Sequence, residues 1–89
     1  YKIKRVLLKP GNSLRPQMHL HRTEHWVVIR GTAQVKIGNE TFLLHEGEST
    51  FVPKKTVHVL GNHTDSEVEI IEVENGDYLE EDDIVVYDS

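Results

Sequence analysis

Cysteine is absent from this 89-residue sequence, which excludes both a disulfide framework and a thiolate metal site. Aromatic residues are scarce at 7%, and the hydrophobic fraction is 37%. Residues 1–89 fit one small domain, and its thin core points to help from a metal, a partner subunit or a flanking segment. No apolar run approaches membrane-spanning length and no signal-peptide pattern opens the chain, so a cytoplasmic protein without membrane contact is expected. Positive charge is in short supply too: ten Lys and Arg stand against fifteen Asp and Glu, for a net charge of −5. Phosphate backbones need a basic face, so nucleic acid is not an expected partner. The chain starts at Tyr1 rather than Met and enters a strand-like run at once. It is therefore expected to be a piece of a longer protein.

What is present is punctuation at short intervals. Pro10-Gly11, Gly31, Gly38-Asn39, Gly47, Pro53, Gly61-Asn62 and Asn75-Gly76 separate short runs rich in Val, Ile, Leu, Thr and Phe. That spacing predicts an all-β sandwich or barrel. The predicted strands are Lys2–Lys9, Leu14–His21, His25–Ile29, Ala33–Ile37, Glu40–Leu44, Ser49–Val52, His58–Leu60, Glu67–Val73 and Ile84–Tyr87. Gly38-Asn39 between two alternating runs is a two-residue hairpin signal. Residues 78–83 have the option of one helical turn, with Glu80–Asp83 a solvated acidic surface.

Six histidines are present, and three crowd into Gln17-Met18-His19-Leu20-His21-Arg22-Thr23-Glu24-His25-Trp26. Imidazole with carboxylate is a common ligand set for zinc and its first-row neighbours. On a strand, alternate side chains share a face, so Gln17, His19 and His21 are expected to point one way. With a turn near Arg22-Thr23, Glu24, Trp26 and Val28 share a face on the following strand, and Glu24 returns towards His19. A rival reading takes His21-Arg22-Thr23-Glu24-His25 as the H-x-x-E-H signature of a zinc peptidase. That chemistry needs a helix, and Val27-Val28-Ile29 directly after it is β-branched and strand-like. His25, His45 and His63 read as surface or packing residues, and Trp26 as core.

At this point the residues resemble the cupin superfamily. Gly11, five residues, Gln17, one residue, His19, four residues, Glu24, six residues and Gly31 reproduce the spacing of its first motif. Gln17 stands where a histidine is usual. Gly47, Pro53, Lys55, His58 and Asn62 reproduce the second motif, with Lys55 in place of a glycine. More narrowly, Gln17 to Val28 followed by Gly31-Thr32-Ala33 is similar to type II phosphomannose isomerase, which usually forms the C-terminal part of bifunctional guanylyltransferase/isomerase proteins. The tail from Glu72 to Val85 resembles the end of those proteins. The nucleotide-binding part and the upstream R-P-W-G segment of that family are not in this sequence, so nucleotide transfer is not expected of it.

The resemblance implies a single-domain cupin jelly-roll barrel. It implies one divalent metal ion, zinc first and cobalt, manganese, nickel or iron as alternatives, held by Gln17, His19, Glu24 and His58. His21 is an alternative fourth ligand to Gln17. The implied reaction interconverts mannose 6-phosphate and fructose 6-phosphate through an enediol, with a divalent ion stabilising the developing oxyanion. His21 is the candidate general base, with a role behind the ligands as the alternative. Arg22 is the first candidate for binding the substrate phosphate, ahead of Arg15, Arg30, Lys54 and Lys55. A non-catalytic sugar-binding sensor and a purely structural dimerisation module are the competing functions. Val27, Ile29 and the neighbours of Ile70 and Glu72 place apolar side chains on outer faces that suit a homodimer.

Overall fold

A computed structural model describes residues 1–88. Alternation of buried and exposed residues builds nine strands: β1 Lys2–Leu8, β2 Gln17–Met18, β3 Arg22–Arg30, β4 Ala33–Ile37, β5 Glu40–Leu44, β6 Ser49–Val52, β7 His58–Gly61, β8 Val68–Gly76 and β9 Val85–Val86. They form two antiparallel sheets, ordered β1-β8-β3-β6 and β5-β4-β7-β2-β9. This is the expected all-β jelly roll, with no helix among the described residues and so none long and apolar enough to cross a membrane.

The inward positions of both sheets close over a core of Leu8, Val28, Ala33, Val35, Leu44, Val52, Leu60, Val68 and Ile70, joined by Trp26. The Gly38-Asn39 hairpin forms as predicted, with Ile37 opposite Glu40. Gly31 turns the chain between β3 and β4 at φ +86°, and a Cβ there would lie 3.0 Å from the Glu67 carbonyl oxygen. Both facts make glycine the residue for this position.

Several boundaries differ from the sequence reading. The run Leu14–His21 yields only the two-residue β2. Pro16 has no N–H to give a ladder, and the chain bends at Leu20-His21. The turn expected at Arg22-Thr23 therefore falls earlier, and β3 begins at Arg22 rather than His25. β8 runs on to Gly76 because its second half pairs with this earlier start, Arg22 opposite Gly76 and Glu24 opposite Glu74. Residues 78–83 do not form a helix; they make a turn in which the Asp83 N–H donates to the Glu80 carbonyl, 3.2 Å. Asp83 itself is buried at 4% exposure, so the acidic run is not wholly a solvated surface.

Candidate metal centre

The site lies at the end of the barrel where inward positions stop being apolar. Along β3 the buried residues Val28 and Trp26 give way to Glu24 and Arg22, and along β8 Ile70 gives way to Glu72 and Glu74. Opposite them, β7 supplies His58, and the stretch after β2 supplies His19, both buried. Of these, Arg22, Glu24, Trp26, Glu72, His19 and His58 line a cavity of about 230 Å³ together with Gln17, Lys4 and Glu81.

His19, Glu24 and His58 each offer a ligand atom, and those atoms all lie within 4.8 Å of one another. Residues 19 and 58 come from distant parts of the chain, yet their rings stand 5.1 Å apart. Gln17 sits directly opposite His58 in the β2–β7 pairing. Its Nε2 donates weakly to the Arg15 carbonyl at 3.4 Å, which leaves its amide oxygen available as an acceptor.

Hydrogen-bond chemistry fixes where the protons are. His19 Nδ1 lies 2.7 Å from the Asp83 carbonyl oxygen, and His58 Nδ1 lies 3.1 Å from the Thr56 carbonyl oxygen. A carbonyl only accepts, so both Nδ1 atoms carry hydrogen and neutral rings present a bare Nε2. Arg22 Nη2, a pure donor, stands 3.2 Å from His19 Nε2 and requires the same tautomer. Burial pushes His58 below the usual imidazole range against the opposing pull of the Thr56 carbonyl and Glu24, favouring its neutral form.

His19 Nε2 also faces Glu24 Oε2 at 3.3 Å, two electron-rich atoms at close range. Arg22 relieves them by donating to both, with Nε to Glu24 Oε2 at 2.9 Å. Trp26 Nε1 donates to the other Glu24 oxygen at 2.8 Å and fixes the carboxylate plane. Two bare imidazole nitrogens, an oriented carboxylate and a nearby amide oxygen form a donor set that fits a divalent first-row cation. Backbone carbonyls on the far nitrogens are the usual orienting partners of such ligands.

Three carboxylates, Glu24, Glu72 and Glu74, bring oxygens within 4.8 Å of one another. Burial, then the Glu24 and Glu74 charges, push Glu72 up to about 7. Glu74 is fully buried beside Arg22 Nη2 at 3.2 Å and Lys4 Nζ at 3.4 Å, but neither contact has hydrogen-bond geometry. Arg22 Nη1 is likewise buried without a partner.

The structure brings Gln17, His19, Glu24, His58 and Arg22 to one cavity. It does not bring His21 there. The bend at Leu20-His21 turns that ring outward, its side chain 58% exposed, onto Asp83 and the edge of Tyr78. The shared face expected for His19 and His21 required a strand that ends at Met18. Arg15 pairs with Asp88 and Arg30 with Glu67, both outside the cavity, and Lys54 and Lys55 are exposed. Lys55 takes the left-handed conformation of the glycine it replaces, φ 57°, and its N–H donates to the His19 carbonyl at 2.8 Å. Lys4, Glu72, Glu74 and Asp83 were not singled out by sequence. For the two glutamates a signal existed: Val68, Ile70, Glu72 and Glu74 share one alternating face.

The family described as mannose-6-phosphate isomerase C-terminal matches residues 1–89. A mannose-1-phosphate guanylyltransferase of Salmonella muenchen is 51% identical over 85 residues, 96% of this chain but 18% of that protein. The alginate biosynthesis protein AlgA of Pseudomonas aeruginosa is 51% identical over 84 residues, 94% of this chain and 18% of its own length. This sequence thus spans under a fifth of these relatives. Among solved structures, an oxalate oxidase in complex with glycolate superposes with TM-score 0.83 at 23% identity, covering 94% of this chain and 44% of that one. A cupin-superfamily sugar phosphate isomerase from Silicibacter pomeroyi superposes with TM-score 0.75 at 20% identity, covering 81% and 48%. These likenesses establish the cupin fold.

Proposed function

Because this chain belongs to the mannose-6-phosphate isomerase C-terminal family, we propose that its cavity holds one divalent metal ion and interconverts mannose 6-phosphate and fructose 6-phosphate. The ligands in this reading are His19, Glu24 and His58, with Gln17 as the fourth. The observation that carries it is the proton placement: both imidazoles are tied through Nδ1 to carbonyls and present bare Nε2 atoms beside the Glu24 carboxylate. Zinc suits this donor set, as do cobalt, manganese, nickel and iron. When bound, the ion supplies Lewis acidity at the sugar carbonyl.

The chain's own groups do the rest. Arg22 lines the cavity, and its Nη1 is buried without a partner. In this reading its guanidinium binds a phosphate or hydroxyl oxygen of the sugar. Glu72 forms part of the lining, and its position makes it the carboxyl that carries a proton between neighbouring carbons. His21, outside the cavity, takes no part in this reading.

The test supplies the protein with zinc, cobalt or manganese and follows conversion of mannose 6-phosphate. Turnover that disappears in Glu24→Ala and His58→Ala supports the proposal; metal-loaded protein without turnover defeats the isomerase. A second reading, sugar-phosphate binding without turnover, is favoured by the outward position of the histidine expected as base. Saturable mannose 6-phosphate binding to an inactive metal-loaded protein would select it.

The proposal includes a homodimer. The outer face of the four-stranded sheet exposes Ile3, Leu7, Ile29 and Phe51, and an isologous pairing would cover them. Sedimentation at micromolar concentration should give a dimer that Phe51→Glu dissociates; a monomer at all concentrations rejects it.

A further inference from the structure

We propose that Asp83 is a positioning residue for the metal centre, acting through His19. This rests on reading His19 as a ligand, but its physical content concerns the ring alone. The His19 segment lies in the gap between the end of β2 at Met18 and the start of β3 at Arg22, where no ladder holds the backbone. Asp83 fills that gap from the C-terminal segment with two kinds of contact.

Its carboxylate accepts the Leu20 N–H at one oxygen and the His21 N–H at the other, both at 3.0 Å, and the His21 Nδ1 at 3.0 Å. Its carbonyl accepts His19 Nδ1–H at 2.7 Å. The side chain thus clamps the bend while the main chain of the same residue sets the ring's tautomer and direction. The two contacts are not independent: the clamp fixes where the carbonyl stands. Just beyond it, β9 pairs with β2, Gln17 opposite Val86, so this strap is braced on both sides of His19.

A carboxylate that binds two successive backbone amides is geometrically specific. Alanine leaves both amides and the His21 ring without their acceptor. Asparagine keeps one oxygen and loses the second acceptor, so it restores part of the clamp. Partners behind a metal-bound histidine contribute on the order of 10–100-fold to metal affinity.

The experiment uses nitrogen-15 histidine-labelled protein. In the metal-free wild type, His19 should be the Nδ1–H tautomer. In Asp83→Ala it should become a mixture, and cobalt(II) or zinc(II) affinity should fall at least about tenfold. Asp83→Asn should lie between the two. Asp82→Ala, which removes the same charge one residue away from an exposed position, should match wild type. If Asp83→Ala does not fold, Asp83→Asn carries the comparison. A folded Asp83 variant with unchanged His19 tautomer and unchanged metal affinity overturns the proposal. If no protein binds metal but the tautomer still shifts in the Asp83 variants, the positioning role of Asp83 stands and the metal reading falls.

Discussion

The two ends of the barrel interior use the same strands and the same alternation, yet they differ in kind. At one end β3 and β8 pair Val28 with Ile70; two and four residues along, they pair Trp26 with Glu72 and Glu24 with Glu74. The first end is hydrocarbon in close contact. The second packs an arginine and three glutamates in a space where unpaired charge is costly. Alternation places a side chain inside; it does not say whether the inside is core or site. The polar end is where this fold buries charge at a cost in stability.

The largest test of that contrast removes the polar end's buried cation. Arg22→Ala leaves Glu24 and Glu74 buried beside each other with less compensation, and should lower unfolding free energy by about 4 kcal/mol in denaturant titrations. At the apolar end, Ile70→Ala leaves a cavity and should cost about 3 kcal/mol. An Arg22 effect well below the Ile70 effect would show that the polar end is hydrated and cheap. Metal should stabilise only through the polar end: wild type at zinc one hundred times its dissociation constant should gain about 2.7 kcal/mol, and Glu24→Ala should gain nothing measurable. Equal shifts in both proteins would place the binding elsewhere.

The pH dependence of the metal-free protein sharpens the comparison further. Glu72 is pushed up to about 7 in the fold from 4.5, so the folded state holds its proton more tightly than the unfolded state. Its contribution is fully present below pH 4.5 and is lost as pH rises through 7, a change of about 3 kcal/mol. Glu72→Gln should flatten that decline, while Ile70→Ala should keep it. The smallest effect belongs to the support of His19: Lys55→Gly releases a side chain from the left-handed region and should raise stability by about 1 kcal/mol or less.

Most of the architecture was legible because turn residues and alternation repeat every few residues. The Gly38-Asn39 hairpin and the strands β4 to β6 stand at their expected bounds. The four proposed ligands were legible because two motifs kept their spacing. What was not legible depends on partners distant in sequence. Nothing local marks Leu20-His21 as the bend; that follows from a carboxylate more than sixty residues on. The same contact sends His21 outward and buries Asp83, reversing the expectation for both. Glu74 lay just past the expected end of its strand, and its extension follows from pairing with β3. Lys55 departs from the glycine of its motif yet keeps the backbone shape, so that departure does not alter the site.

The hydrogen bond between His19 and Asp83 has a temporal consequence, since the two are separated by 64 positions. A ribosome makes the imidazole early and its orienting carbonyl much later. A nascent chain released before Asp83 would own every proposed coordinating side chain and still lack the aim of one.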